Sequence, residues 1–77
     1  MTVRDLQSKL MDLGVRSDSY CLLDDSNEAY CLQRSRTGWY VYYAERGLQN
    51  GRTNFDSESE ACEYLLDLLR NDPNVRG

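Results

Sequence analysis

The 77 residues contain no histidine, one proline, one tryptophan and one phenylalanine. Without imidazole, Ser-His and Cys-His nucleophiles are excluded, and the usual proton carrier near neutral pH is missing. Cysteine is sparse: Cys21, Cys31 and Cys62 are odd in number, have no CxxC spacing and have no histidine to help them hold zinc. They read as small apolar fillers of a reducing compartment, although Cys21 and Cys31 could meet across a hairpin as a disulfide. Glycine-rich phosphate cradles are absent too, with neither a GxGxxG nor a GxxxxGK[ST] run. The adjacent acids Asp24 and Asp25 read as turn residues splayed into water rather than as an acid–base pair. No catalytic residue, cofactor or metal ligand is therefore assigned, and a non-enzymatic role is expected. Long apolar runs are lacking, and the start Met1-Thr2-Val3-Arg4-Asp5 has no apolar signal region, so no membrane partner and a cytoplasmic location are expected. Basic residues are outnumbered nine to thirteen, and the net charge of −4 disfavours nucleic acid while favouring a basic partner.

What is present is a pattern of short amphipathic segments, at 40% hydrophobic and 29% charged residues, which places the chain among folded domains rather than acidic disordered tails. Its length suits one domain near the lower limit for a single core. Thr2 and Asp5 form a capping-box pattern, Val3, Leu6, Leu10 and Leu13 recur at helical spacing, and Gly14 followed by Val15 is a left-handed helix stop. Tyr20 to Leu23, Glu28 to Arg34 and Gly38 to Arg46 read as strands, separated by turn clusters at Asp24 to Asn27 and Ser35 to Gly38. The third of these is the central strand. Alternation puts Trp39, Val41 and Tyr43 on its core face and leaves Tyr40, Tyr42 and Ala44 on the other. Asn50-Gly51 is a hairpin signal, with a short edge strand expected near Arg52 to Phe55. Ser57 and Glu60 cap a second helix, with Glu58 suited to its positive end; Ala61, Cys62, Leu65, Leu68 and Leu69 form its buried stripe, and Asn71-Asp72-Pro73 stops it. The expected fold is α+β, a three- to four-stranded antiparallel meander with an N-terminal and a C-terminal helix on one face, ordered α-β-β-β-(β)-α. Residues 1–73 form the domain and residues 74–77 a frayed tail.

Two surface features carry functional expectations. Glu60, Glu63 and Asp67 fall at i, i+3 and i+7 of the second helix and make an acidic stripe, either a plain solvated face or a docking surface for a basic partner. Tyr40 and Tyr42 point outward beside Glu45 and Arg46 at the strand end, and tyrosine is enriched at recognition surfaces. The same pair could stack bases, but such platforms have basic surroundings.

The runs Tyr30-Cys31-Leu32, Trp39-x-Val41-Tyr42-Tyr43-x-Glu45-Arg46-Gly47 and Phe55-x-Ser57-Glu58-x-Glu60-Ala61 resemble small immunity proteins of bacterial polymorphic toxin systems, over about residues 3–70. The resemblance implies a protein that binds a cognate toxin and blocks its active site, here a site with a basic cleft. Such families share no catalytic residues, so none transfers. The contact residues expected are Tyr40, Tyr42, Glu45, Arg46, Glu60, Glu63 and Asp67. The alternative is a small nucleic-acid or nucleotide module using the tyrosine platform.

Overall fold

The computed structural model describes residues 1–24 and 27–72. Expectations placed on Asp25, Ser26 and residues 73–77, including the tail, lie outside the described residues. The first helix, α1, spans Val3–Asp12 and starts at the predicted capping box. The Asp5 amide donates to the Thr2 hydroxyl at 3.2 Å, and the Thr2 amide donates to Asp5 Oδ2 at 3.1 Å. These bonds favour the ionised carboxylate and hold the Asp5 pKa below its ordinary 3.8. At the other end Gly14 takes φ +76°. The Val15 amide then reaches the Leu10 carbonyl at 3.0 Å, and the Gly14 amide the Met11 carbonyl at 3.1 Å. This double closure satisfies two orphan carbonyls and folds Val15 into the core.

A 3-10 turn at Ser17–Ser19 leads to the strands β1 (Tyr20–Leu22), β2 (Ala29–Ser35), β3 (Gly38–Glu45) and β4 (Leu48–Phe55), then to the helix α2 (Glu58–Asn71). The sheet order is β1-β2-β3-β4, and both helices pack on one face of it, giving the α+β order α-β-β-β-β-α. That face carries Leu32 and Val41 against Leu6, Leu10, Leu65 and Leu69, all essentially inaccessible to solvent.

The first connection departs from the expected hairpin: β1 runs parallel to β2, with Tyr20, Cys21 and Leu22 opposite Tyr30, Cys31 and Leu32. A tight hairpin pairing Leu22 with Ala29 would have turned Tyr20 and Leu22 away from the helices. The parallel register turns both toward them and sets the smaller Cys21 beside Cys31 on the other face. The chain doubles back with Leu23 at φ +62° and Glu28 at φ +55°, left-handed conformations that side chains rarely adopt.

The third connection also differs. The turn into β4 lies at Arg46-Gly47, not Asn50-Gly51, with φ +51° and +81° there and Glu45 paired to Leu48. Two successive positive φ values make the two-residue turn whose twist matches the strands. Gly51 (φ +63°) instead accommodates a bulge: the register slips between Val41 and Tyr43, so that Gly51 and Arg52 together oppose Tyr42. The edge strand is consequently eight residues long rather than four. Gly38 is required by close approach, since a Cβ there would lie 2.3 Å from the Phe55 carbonyl oxygen.

The helices run side by side in the same direction. Their N-termini share one acid, because Glu58, at the first position of α2, accepts the Val3 amide of α1 at 2.8 Å. Lys9, Asp12 and Leu13 lie against Leu66 and Arg70 at the other ends. Parallel neighbours bring two positive helix ends together, and the Glu58 carboxylate between them offsets that repulsion. The Ser57 hydroxyl accepts the Glu60 amide at 3.2 Å, capping α2.

Candidate functional site: an acidic helix beside a tyrosine groove

The expected contact residues divide between the two sides of the sheet. Tyr40 and Tyr42 do lie on the face away from the helices, opposite Gln33 and Cys31 of β2. They are not, however, an exposed pair. Tyr42 is 3% exposed, packed with Cys21, Cys31 and Ala44, and Tyr40 leans on it with ring centroids 5.8 Å apart. The Arg52 guanidinium lies 3.9 Å from the centre of the Tyr40 ring. Strand alternation explains this placement: Arg52 shares the face of Asn54, which pairs with Tyr40. Glu45 and Arg46 occupy the exposed tip of the β3–β4 hairpin, where Arg46 is a turn residue.

Glu60, Glu63 and Asp67 are all exposed on α2, as the helical spacing requires. Glu63 accepts the Ser59 hydroxyl at 3.3 Å, and Asp67 pairs with Arg70 one turn on. Both members of that ion pair are more than half exposed, so it contributes little to stability. Because α2 covers the face opposite Tyr40 and Tyr42, the acids and the tyrosine pair cannot touch one flat partner together.

Of the three acids, Asp67 borders a feature that the sequence pattern does not announce. Between the C-terminal half of α2 and the sheet runs an open groove of about 500 Å³, lined by Tyr30, Tyr64, Asp67, Leu68, Asn71 and Asp72. It continues into a depression of about 260 Å³ that Tyr43, Asn50 and Gly51 help to line. Cross-strand pairing sets Tyr30 opposite Tyr43, with ring centroids 4.9 Å apart in an edge-to-face contact. Tyr64 comes from the helix above and packs against Phe55, with ring centroids 5.0 Å apart and the rings tilted by 46°. Burial, and next the Asp72 carboxylate, push the Tyr30 phenol above its ordinary pKa of 10.0, so it stays protonated. A signal for this groove was present: Tyr43 falls on the core face of β3, and Tyr30 and Tyr64 join it on the helix-covered side. A phenol needs its polar tip wet or bonded, so three on one buried face imply an opening.

Among the described residues no group of three or more histidine, cysteine or acidic side chains converges as a metal site would require. Cys21, Cys31 and Cys62 are buried, unbridged thiols. No described helix is long and apolar enough to cross a membrane. No protein-family model, curated protein or solved structure matches this chain.

Proposed function

We propose that the chain is a protein-binding inhibitor, an immunity protein that neutralises a cognate bacterial toxin by binding it and blocking a basic active-site cleft. The observation that carries this reading lies on α2: Asp67 lines an open groove walled by tyrosines, and the exposed Glu60 and Glu63 extend the negative charge along the same helix. Fixed negative charge speeds encounter with a basic surface, and rigid aromatic side chains at its centre slow release. The resemblance of the strand and cap motifs to immunity proteins points the same way, as does the net charge of −4. On this reading the protein performs no chemistry of its own and acts in the cytoplasm of the producing cell. The contact is the α2 side of the molecule. Tyr40 and Tyr42, which lie across the sheet, drop out of it.

The test is a search of the neighbouring reading frames for a toxin domain, followed by its co-expression with this chain, scored by host survival, and a binding titration of the purified pair. Nanomolar affinity is expected. The combined reversal Glu60→Lys, Glu63→Lys and Asp67→Lys should weaken it by about a hundredfold at low salt and by less at high salt. Tyr40→Ala should leave it unchanged. Unaltered affinity in the triple reversal removes the assigned surface. Saturable low-salt binding of unrelated single-stranded oligonucleotides, with no toxin binding, would replace the reading with a nucleic-acid module.

A further inference from the structure

The groove beside α2 combines two kinds of lining that attract the same ligand. Tyr30, Tyr43 and Tyr64 supply ring surfaces around the apolar side chain of Leu68, while Asp67 and Asp72 place carboxylates along the rim. Ring faces are the negative ends of aromatic quadrupoles, so a cation laid on them is attracted without having to be hydrated there. The carboxylates provide the full counter-charge. An apolar side chain would use the rings but strand the acids against a desolvated surface; an anion would be repelled by both acids.

We propose that this groove receives an arginine side chain of the protein partner, its guanidinium lying against the tyrosine rings and donating to Asp67 and Asp72. Guanidinium fits better than ammonium for three reasons. It is planar and stacks on rings, it is weakly hydrated and so enters a half-dry groove at low cost, and its forked donors match carboxylates. The molecule already shows both halves of this chemistry: Arg52 lies 3.9 Å over Tyr40, and Arg70 pairs with Asp67 itself. The Asp67–Arg70 pair is exposed on both sides, so an incoming guanidinium can exchange with it. The Tyr30 phenol, held in its neutral form, keeps its ring free of a phenolate charge across the physiological range. The proposal rests on the preceding reading only for the partner's being a protein.

The test is an NMR titration of the full chain with the blocked tripeptide Gly-Arg-Gly, compared with its lysine and citrulline counterparts. Citrulline keeps the shape of arginine and removes the charge. Shifts should centre on Tyr30, Tyr43, Tyr64 and Leu68, and the citrulline peptide should bind about tenfold more weakly than the arginine one, with lysine between them. Asp67→Asn combined with Asp72→Asn should cost a similar factor, as should Tyr64→Leu, while Tyr40→Ala should change nothing. Equal binding of arginine and citrulline, shifts centred on another face, or an unaffected double variant would overturn the proposal. So would binding that appears only when residues 73–77 are removed, because the occupant would then be the chain's own end. Toxin neutralisation without arginine selectivity defeats the groove and leaves the immunity reading standing. Selective peptide binding with no toxin recognised does the reverse.

Discussion

Both faces of the sheet carry a buried cluster, yet the two clusters are built from residues of different size. Toward the helices the buried set is Leu6, Leu10, Leu32, Val41, Leu65 and Leu69, contributed by α1, α2, β2 and β3. Away from them it is Ala29, Cys21, Cys31, Ala44 and one large ring, Tyr42. The first face stays dry because two helices cover it. The second has no helix, and small side chains let Tyr42 lie down on them while Tyr40 and Arg52 close over its flank. A sheet face therefore need not be a recognition surface because helices leave it uncovered. The tyrosines that line an open groove are Tyr30, Tyr43 and Tyr64, at the margin of the helix-covered side.

Truncation should expose this difference most sharply. Leu65, at 0% exposure, sits where α2 meets the sheet, and Leu65→Ala leaves a cavity bounded by several elements that cannot all collapse into it. A loss of about 4 kcal/mol in urea unfolding is expected, a large share of the stability of so small a domain. Tyr42→Ala removes more atoms but from a face with a single layer of cover, so water can refill part of the space, and about 3 kcal/mol is expected. If Tyr42→Ala proves nearly neutral, the outer cluster is loosely packed and the face is open in solution. Reversal of the order, with Tyr42→Ala the costlier, would make the outer cluster the principal core.

Most of the fold was legible in the sequence because its local signals are explicit. The capping residues Thr2, Asp5 and Ser57 and the Gly14-Val15 stop each act within a turn of where they stand, so α1 begins and closes where expected and Ser57 caps α2. Three features were not legible, for identifiable reasons. The direction of β1 was one, since a three-residue strand has the same alternation read either way and only the helices select which side Tyr20 faces. The β3–β4 turn was another. Asn50-Gly51 has the better intrinsic turn chemistry, but moving the turn there would have forfeited the pairs Glu45 to Leu48, Ala44 to Gln49 and Tyr43 to Asn50. The burial of Tyr42 was the third, because it depends on the small side chains of Cys21, Cys31 and Ala44 around it, and Cys21 reaches that face only through the parallel β1–β2 register. Of the site, the acid stripe was visible as helical spacing. The groove was not, since it forms where Tyr30, Tyr43 and Tyr64 meet from three separate elements.

The thiols offer a finer probe of how dry the two faces are. Cys21 lies on the outer face and Cys62 under the helices, yet each is pushed up to about 11 from an ordinary 9.0, chiefly by burial. The Cys31 thiol beside Cys21 adds to its shift, as the Glu58 carboxylate does at Cys62. Two pKa units correspond to about a hundredfold less thiolate at pH 8, so iodoacetamide should label both sites of the native protein slowly and at similar rates, and rapidly after unfolding. The linkage has a definite sign. A folded pKa above the unfolded one leaves stability intact below pH 9.0 and erodes it as pH rises from there through about 11, where the unfolded chain gains by ionising first. Rapid native labelling confined to Cys21 would show that the outer face opens while the helix face does not.

The smallest expected effect lies at the hairpin tip, where the two faces end together, and it has the opposite sign. Arg46 holds φ +51° in the turn, a conformation in which its Cβ crowds the following carbonyl oxygen. Asparagine tolerates that conformation, and Asn-Gly is the preferred pair for this turn, so Arg46→Asn should stabilise the protein by about 0.5 kcal/mol. The residue is exposed, so no packing is lost in exchange. Because Arg46 lies outside the acid stripe and the groove, affinity for a partner of the kind proposed above should not move with the gain in stability. A loss of affinity in Arg46→Asn would return the hairpin tip to the contact surface. A loss of stability would mean that strain at Arg46 is offset by an interaction of its guanidinium.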